Sequence, residues 1–320
     1  MQNNNQSNVF FIFTPLHAVI AASIIERENL KDIIIVALPE SSPKTISYCK
    51  RFFSQRAKIL TINLHRNVKS IHSFLKILLL KQRLKNKEII FYTGSIKSLY
   101  SRIFIGSNVK INTFDDGYGN LVLEGYFSQD DSLSKKALLT TLGVTSKYFN
   151  ILKLINKHYS IYNLPNVYDK YCQEKIVIPI HEFSDTTFQL NTHTNSKSLR
   201  LLLTQPYSER NLLESKTEIA LYNAAIEKFS IDYYLPHPAE TYKKIPPTKA
   251  ALLHSDLIAE EIILSIAKTT QVEVYAFGST TLLNLMNSNN VKCVWMTSDY
   301  IPNPSIPTDL IKDMNFADVS

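Results

Sequence analysis

Short apolar runs alternate with stretches of helical periodicity along almost the whole chain. Residues 33–36 read Ile-Ile-Ile-Val, which is typical of a parallel strand covered on both faces. The polar residues that punctuate the runs mark where strands end. The pattern predicts eleven strands, at residues 8–13, 32–38, 58–64, 88–92, 109–114, 175–180, 199–204, 232–235, 250–253, 273–277 and 292–296.

Helical periodicity between these runs predicts a β-α-β-α order in both halves of the chain. The helices are predicted from Pro15 onward and at 41–57, 72–87, 96–104, 216–229, 256–268 and 281–287, with 130–168 mostly helical and a short helical piece in the proline-containing tail 298–320. A chain of 320 residues is long for one core. We therefore predict two α/β domains, 1–190 and 191–320, joined by the Thr-, Asn- and Ser-rich segment 184–198.

Small polar clusters follow four of the predicted strands. They are Thr14-Pro15-Leu16-His17, Asp115-Asp116-Gly117-Tyr118-Gly119, His237-Pro238 and Gly278-Ser279-Thr280-Thr281. In open α/β sheets, ligands bind outside the carboxyl ends of the strands. One cleft could therefore gather two carboxylates, an imidazole and a hydroxyl-rich turn, which suits transfer of a group from a phosphate ester without a metal.

The charge and cysteine content exclude several classes of protein. The formal net charge is +7, yet no stretch resembles a nucleic-acid-binding module. The densest basic run, Lys76 to Lys87, is either a solvated helix face or a contact for an anionic membrane surface or substrate. The dispersed Cys49, Cys172 and Cys293 indicate a reduced setting. With neither a signal peptide nor a bilayer-spanning apolar run, we expect a cytoplasmic protein.

The Asp115-Asp116-Gly117 turn is the first candidate for acid–base chemistry. Two crowded carboxylates repel, which raises the pKa of one of them and makes it a better base for a sugar hydroxyl. The glycines allow a sharp turn and close approach to a ligand. An ordinary Asp/Gly turn is the alternative interpretation.

The second half offers an acid, an anion site and a rival base. His237, held by Pro238, could donate to a phosphate oxygen, or it is a hydrogen-bonded structural histidine. Ser279 and Thr280 at a helix start could bind an anion or only cap the helix. The loop that follows the first strand of the second half could bring Glu209 to the cleft between the domains, or it is a polar loop in which Glu209 is incidental.

Several known motifs are missing from the sequence. It has no Gly-x-Gly-x-x-Gly, P-loop or Gly-x-Ser-x-Gly pattern. No Asp-x-Asp triplet occurs, and His17, His181 and His254 show no metal-ligand spacing. We therefore expect no cofactor and no metal site.

Four motifs in order resemble glycosyltransferase family 52, which includes bacterial sialyltransferases. They are Phe114-Asp115-Asp116-Gly117, Thr204-Gln205-Pro206 with Ser208-Glu209, Tyr234-Leu235-Pro236-His237-Pro238, and Phe277-Gly278-Ser279-Thr280. The resemblance extends from the first strand to about Trp295. It implies a GT-B architecture, with two Rossmann-like domains facing an interdomain cleft.

The resemblance also implies an inverting, metal-independent transfer of sialic acid from CMP-sialic acid to a terminal galactoside of lipooligosaccharide. The base is then Asp116 or Asp115, with Glu209 as a rival, and His237 is the acid. The donor contacts are Gly278, Ser279, Thr280, Thr281, Pro238 and Gln205, and the acceptor contacts are Thr14, His17, Gly117 and Tyr118. We further expect a peripheral position on the inner face of the cytoplasmic membrane, and a homodimer.

Two departures from the family pattern keep other functions open. The late turn reads Ser-Thr-Thr instead of paired serines, and Glu209 is followed by Arg210 instead of a second acid. The alternatives are a lipooligosaccharide hexosyltransferase using a nucleoside diphosphate sugar, and a non-catalytic nucleotide- or glycan-binding module.

Overall fold

The computed structural model describes residues 6–38, 44–62, 71–105, 109–117, 120–121, 133–141, 148–163, 165–178, 188, 198–241, 244–245, 249–301, 312 and 314–319. The chain divides into two compact units, Met1–Pro179 and Ile180–Ser320. The linker predicted at 184–198 and the boundary predicted at residue 190 lie almost wholly outside the described residues.

The first unit contains a seven-stranded sheet in the order β3-β2-β1-β4-β5-β6-β7, with every described pair parallel. Its strands are β1 (Gln6–Ile12), β2 (Ile33–Ala37), β3 (Lys58–Thr61), β4 (Glu88–Thr93), β5 (Val109–Phe114), β6 (Ile155–Ser160) and β7 (Glu174–Val177). Its helices are α1 (Pro15–Arg27), α2 (Lys44–Phe53), α3 (Ile71–Arg83), α4 (Leu99–Phe104), α5 (Leu133–Thr141) and α6 (Tyr148–Leu152).

Burial on both faces explains why the central strands of this sheet are so apolar. All five residues of β2 are buried, as are the last six of β1. Val9 and Phe11 face one continuous core with Ile77 and Leu80 of α3. Parallel strands covered on both sides need such runs, because neither face meets water.

The second unit contains a six-stranded parallel sheet in the order β10-β9-β8-β11-β12-β13. Its strands are β8 (Ser198–Leu203), β9 (Tyr233–Leu235), β10 (Ala251–Leu252), β11 (Gln271–Ala276), β12 (Val291–Thr297) and β13 (Asn315–Asp318). Its helices are α7 (Ser215–Phe229), α8 (Ala259–Ala267) and α9 (Thr280–Leu285). Both units thus follow the Rossmann order, with the direction of winding reversing beside the first strand of each sheet.

The reversal determines where chemistry can be placed in each unit. It falls between β1 and β4 in the first sheet and between β8 and β11 in the second. Ligands bind at such reversals, outside the carboxyl ends of the strands. Two of the four polar clusters follow β1 and β11, which border the reversals. The His-Pro cluster follows β9, the neighbour of β8, and the Asp-Asp-Gly turn follows β5, the neighbour of β4.

Two strands were missed in the sequence analysis. Strand β6 lies within the predicted helical stretch 130–168, and β13 lies in the tail. Strand β6 reads Ile-Asn-Lys-His-Tyr-Ser, and its buried His158 and Ser160 are polar, so it lacks the apolar pattern of a parallel strand. Strand β13 is a mostly exposed edge strand. No helix within the described ranges is both long and apolar enough to cross a membrane.

Candidate active site

Asp115 is a buried structural anchor at the end of β5. Its side chain is 0% exposed. Its two carboxylate oxygens accept hydrogen bonds from Asn120 Nδ2 (3.2 Å), His158 Nε2 (3.1 Å), Asn166 Nδ2 (2.9 Å), Ser160 Oγ (2.7 Å) and the Ile161 backbone N (2.7 Å). The carboxylate thereby holds the segment that follows β6 against the end of β5.

These bonds lower the pKa of Asp115. Burial alone would raise the pKa of this carboxyl, but hydrogen bonds from His158, Ser160 and Asn120, with the charge interaction with His158, lower it. A carboxylate with a lowered pKa and saturated acceptors is a poor base. Asp115 is therefore not a carboxyl whose pKa is raised, as the sequence analysis expected for one of the two aspartates.

Asp116 has different surroundings from its neighbour. Its side chain is 28% exposed, and its Oδ1 lies 2.7 Å from Nε2 of His17, which is only 1% exposed. The Phe13 backbone N–H donates to His17 Nδ1 across 3.4 Å. We infer that Nε2 carries the proton and donates it to Asp116, since Nδ1 is already an acceptor. Asp116 is thus oriented by a neutral donor while part of its carboxylate meets solvent.

The position of His17 depends on the start of α1 and on Gly94. The hydroxyl of Thr14 caps α1 by accepting the His17 backbone N–H at 3.2 Å. The imidazole packs edge-on against Phe114, with ring centroids 5.2 Å apart. A Cβ at Gly94 would lie 2.7 Å from both His17 Cε1 and Nε2. Gly94 therefore makes room for the ring, a requirement that the sequence analysis missed.

The predicted acceptor contacts of the first unit are only partly described. The Thr14 hydroxyl is engaged in helix capping, and the ring of His17 is buried behind Asp116. Gly117 adopts φ of 90°, which favours glycine. Tyr118 lies outside the described residues. Contact of these residues with an acceptor stays a prediction.

His237 lies after β9, and one of its ring nitrogens already accepts a hydrogen bond. Its Nδ1 accepts the Ala239 backbone N–H at 3.1 Å, and its own backbone N–H donates to Glu240 Oε1 at 2.9 Å. In the neutral ring, the proton is therefore on Nε2. Burial, together with the positive charges of Arg210 and Lys244, lowers the pKa of His237 to about 4. At neutral pH it is an uncharged ring that presents one N–H donor.

A buried lysine holds the loops around His237 together. Lys244 Nζ donates to Glu218 Oε1 at 2.7 Å, to Glu209 Oε2 at 2.9 Å and to the Gln205 carbonyl at 2.9 Å, and it lies 4.0 Å from Glu240 Oε2. The Lys244 side chain is 1% exposed. One ammonium thus connects the loop after β8, helix α7 and the His-Pro loop.

This cluster changes the interpretation of Glu209. Its side chain is 8% exposed. Burial would raise the pKa of this carboxyl, but the hydrogen bonds from Lys244 and the Thr241 backbone N–H lower it. A paired carboxylate with a lowered pKa suits a structural ion pair better than a general base.

Glu240 is a further buried member of the group, three residues after His237. It accepts the Thr204 hydroxyl at 2.6 Å and the His237 backbone N–H at 2.9 Å. Burial raises its pKa, against the hydrogen bond from Thr204. Sequence reasoning missed Glu240, Glu218 and Lys244, because their separation along the chain gives no sign that they meet.

The late glycine turn is shaped by contacts on both sides. Gly278 has φ of +71°, and a Cβ there would lie 3.3 Å from Trp295 Cζ2. The hydroxyl of Tyr207 donates to the Phe277 carbonyl, which ties the loop after β8 to the end of β11. The positive φ and the ring of Trp295 beside its α-carbon both favour glycine at position 278.

The three hydroxyls of this turn have different surroundings. Ser279 is the N-cap of α9 and accepts the Thr281 backbone N–H at 3.3 Å. Thr281 is buried and donates its hydroxyl to Glu260 Oε1 at 3.1 Å. The Thr281 hydroxyl therefore faces the interior, and the side chain at Thr280 is only half-buried. Ser279 and Thr280, the predicted hydroxyl pair, are therefore better placed than Thr281 to bind an anion.

Two of the three cysteines are inaccessible to solvent. Cys49 and Cys293 are buried, and burial raises the pKa of each thiol to about 12. No three His, Cys, Asp or Glu side chains within the described ranges are grouped to hold a metal ion.

The two Rossmann-type sheets form a two-domain α/β fold of the GT-B type, and solved structures share this fold. The UDP-GlcNAc 2-epimerase of Neisseria meningitidis bound to UDP-GlcNAc aligns with a TM-score of 0.54 at 10% identity, over 91% of this chain and 82% of that one. Arabidopsis thaliana UGT89C1 complexed with UDP-L-rhamnose aligns with a TM-score of 0.51 at 13% identity, over 99% and 87%. The fold predicted from the sequence is confirmed.

The family is shown by sequence. The model of glycosyltransferase family 52 matches residues 31–299, so the chain belongs to this family and is a glycosyltransferase. A protein of Pasteurella multocida named CMP-N-acetylneuraminate:beta-galactoside alpha-2,3-sialyltransferase is 29% identical over 91% of this chain and 92% of its own length. An N-acetyllactosaminide alpha-2,3-sialyltransferase of Haemophilus influenzae is 26% identical over 89% and 90%.

Proposed function

We propose that this glycosyltransferase is an inverting, metal-independent sialyltransferase that moves sialic acid from CMP-sialic acid to a terminal galactoside of lipooligosaccharide or a related surface glycan. The main support is the similarity, over about nine-tenths of the chain, to proteins named as alpha-2,3-sialyltransferases. The two oriented polar groups, Asp116 and His237, are compatible with this reaction.

In the proposed reaction, Asp116 takes the proton of the acceptor hydroxyl. It is the partly exposed member of the Asp-Asp pair, and His17 orients one of its oxygens. The hydrogen bond from His17 also restricts rotation of the carboxylate. A positioned base of this kind contributes about 10²–10⁴-fold to the rate.

His237 acts on the leaving group. Its Nε2–H donates to a phosphate oxygen of CMP as the bond between sialic acid and that phosphate breaks. Negative charge grows on the phosphate at this stage, so a preoriented donor stabilises the transition state more than the ground state. Ser279 and the first backbone N–H groups of α9 would hold other phosphate oxygens.

The acceptor oxygen attacks the opposite face of the departing sugar, which inverts the anomeric configuration. One glycosidic bond forms, the bond to CMP breaks, and the proton of the acceptor passes to Asp116. The mechanism requires Asp116 of the first unit and His237 of the second to act on the same pair of substrates.

The central experiment mixes the protein with CMP-sialic acid and lactose. We expect sialyllactose and CMP in equal amounts. NMR should show that the anomeric configuration of sialic acid in the product is opposite to that in CMP-sialic acid. Addition of EDTA should leave the rate unchanged. Hydrolysis of CMP-sialic acid without transfer, or no turnover at all, would contradict the proposal.

One observation favours a second candidate, a hexosyltransferase that uses a nucleoside diphosphate sugar. Arg210 replaces the acid expected after Glu209, and its positive charge acts on His237. A second cation beside the leaving group would suit a diphosphate. A donor panel discriminates the two, because the ligand that binds more tightly raises the melting temperature further.

A glycolipid acceptor would place the reaction at the inner face of the cytoplasmic membrane, with the protein attached peripherally. The predicted homodimer would be tested separately by sedimentation velocity. A monomer at micromolar concentration would contradict that prediction without affecting the proposed reaction.

A further inference from the structure

Helix α3 of the first unit presents two large apolar side chains to solvent. Leu75 is 51% exposed and Leu79 is 57% exposed. They lie one helical turn apart, so they share a face. The opposite side of the helix, including Ile77 and Leu80, is buried in the core of the unit. The exposed leucines are therefore not needed to attach the helix to its sheet.

Exposed cations border these leucines. Lys76 and Arg83 are exposed on α3 together with Gln82, and helix α3 contains no acidic residue. We define the α3 face as Leu75, Lys76, Leu79, Gln82 and Arg83. Apolar side chains flanked by basic ones are typical of helices that lie in the interface of an anionic bilayer.

Two lysines of the basic run from Lys76 to Lys87 differ from the cations of the α3 face. Lys81 donates to the carbonyls of Ile103 and Ile105 at 2.9 and 3.0 Å, and burial lowers its pKa. Lys87 pairs with Asp32 at 2.7 Å. These two lysines are structural, whereas Lys76 and Arg83 of the α3 face are exposed and can approach an external anion.

The charge of the whole unit supports an anionic partner. Residues 1–179 contain 24 Lys and Arg and 12 Asp and Glu, a net charge of +12. Residues 180–320 contain 11 and 16, a net charge of −5. The excess positive charge is therefore confined to the unit that carries the α3 face, and it would favour association with an anionic surface.

We propose that the α3 face binds the surface of an anionic lipid bilayer. Leu75 and Leu79 enter the boundary between headgroups and acyl chains, while Lys76 and Arg83 contact lipid phosphates. To bind a soluble anion, the helix would need its exposed cations, but it would gain nothing from exposed leucines. The two leucines are the reason to choose a lipid surface.

The test uses the full chain and sedimentation with vesicles of phosphatidylglycerol and phosphatidylethanolamine, compared with vesicles of phosphatidylcholine alone. We expect binding to the anionic vesicles that weakens with salt. Leu75→Ser with Leu79→Ser should reduce the partition coefficient by about tenfold or more, and Lys76→Ser with Arg83→Ser should reduce both binding and its dependence on salt.

A matched control removes two exposed leucines elsewhere. Leu154 and Leu212 are 56% and 61% exposed, and Leu154→Ser with Leu212→Ser should bind vesicles as the unaltered protein does. Equal loss in the control and the α3 variant, or no binding to anionic vesicles at low salt, would overturn the proposal. A dimer that the α3 variant alone abolishes would also overturn it, because the face would then be an interface between copies.

Lipid binding can be separated from the transfer reaction. Transfer to soluble lactose, followed in the same preparations, should be equal in the unaltered protein and the α3 variant, since neither leucine is part of the active site. If no preparation transfers sialic acid, the vesicle result still stands, and only the proposed function fails.

Discussion

The two units place carboxylates near their polar turns in opposite ways. In the first unit, Asp116 is partly exposed and is held by His17, whose ring is inferred to be neutral. In the second, the Glu209 side chain is only 8% exposed and is held by the ammonium of Lys244. A neutral donor orients a carboxylate without an opposite charge to lower its basicity, whereas a direct cation favours the ionised form. The partner, more than the residue type, therefore decides which carboxylate suits the role of base.

Two adjacent carboxylates of one turn also differ in their burial and in their number of hydrogen bonds. Asp115 accepts five hydrogen bonds in the interior, and Asp116 accepts one from His17 near the surface. The first holds β5 to the segment after β6, and the second remains accessible. Asp115 thus has a structural role, and the carboxylate beside it is the one left open to solvent.

The largest expected effect comes from Lys244→Met. Removing the ammonium leaves the carboxylates of Glu209 and Glu218 buried without their cation, which costs about 3–5 kcal/mol of stability. The measurement is a urea titration followed by fluorescence of Trp295, the single tryptophan, which lies on β12 of the second unit.

Lys249 provides the control for that variant. It pairs with Glu227 at 2.6 Å, but the two side chains are 34% and 70% exposed. Lys249→Met should cost less than about 1 kcal/mol. If both lysine variants had the same small effect, the buried cluster would not support the His-Pro loop as described.

Asp116→Ala and His237→Ala test the proposed chemistry on the two sides of the comparison. Each should leave folding intact and lower turnover by at least about a hundredfold, equivalent to about 2.7 kcal/mol in the barrier. Steady-state transfer to lactose measures the loss. The exposed His254 provides a matched control, and His254→Ala should have the turnover of the unaltered protein. Normal turnover in either site variant removes that residue from the mechanism.

Gly94→Ala tests whether His17 orients Asp116. The added methyl group overlaps the ring of His17, and relief of the overlap should cost about 1–3 kcal/mol of stability. We expect turnover to fall about tenfold through displacement of His17 and Asp116. Full activity of Gly94→Ala at saturating substrate would show that displacement of His17 and Asp116 does not affect turnover.

The smallest effect concerns the protonation of His237. Its pKa of about 4 is below the usual value of 6.5, so the folded state favours the neutral ring. The stability that this ring contributes is complete above pH 6.5 and is lost as the pH falls towards 4. The ring resonances, assigned by their loss in His237→Asn, should stay constant from pH 8 to about pH 5.5 in NMR spectra.

Addition of CMP sharpens the same measurement. A bound phosphate favours the protonated ring, so the pKa of His237 should rise when CMP is present. A titration curve that CMP does not shift would indicate that His237 does not contact the phosphate.

Much of the fold followed from pattern, and the failures have physical causes. The apolar runs at β1, β2 and β11 were predicted because strands buried on both faces need them. Strand β6 was missed because its buried polar residues serve Asp115 instead of the apolar core. Its sequence therefore follows a local hydrogen-bond network and departs from the pattern typical of a buried strand.

The sequence alone determined the α/β class, the family and the four turns at which polar side chains gather, since these depend on local periodicity and on contiguous motifs. Only the tertiary structure distinguished Asp116 from Asp115 and Glu209, and only it connected Gly94 to His17 and Lys244 to its three carboxylates. Basicity and orientation arise from burial and from partners far away in the chain, and neither is encoded in the spacing of a motif.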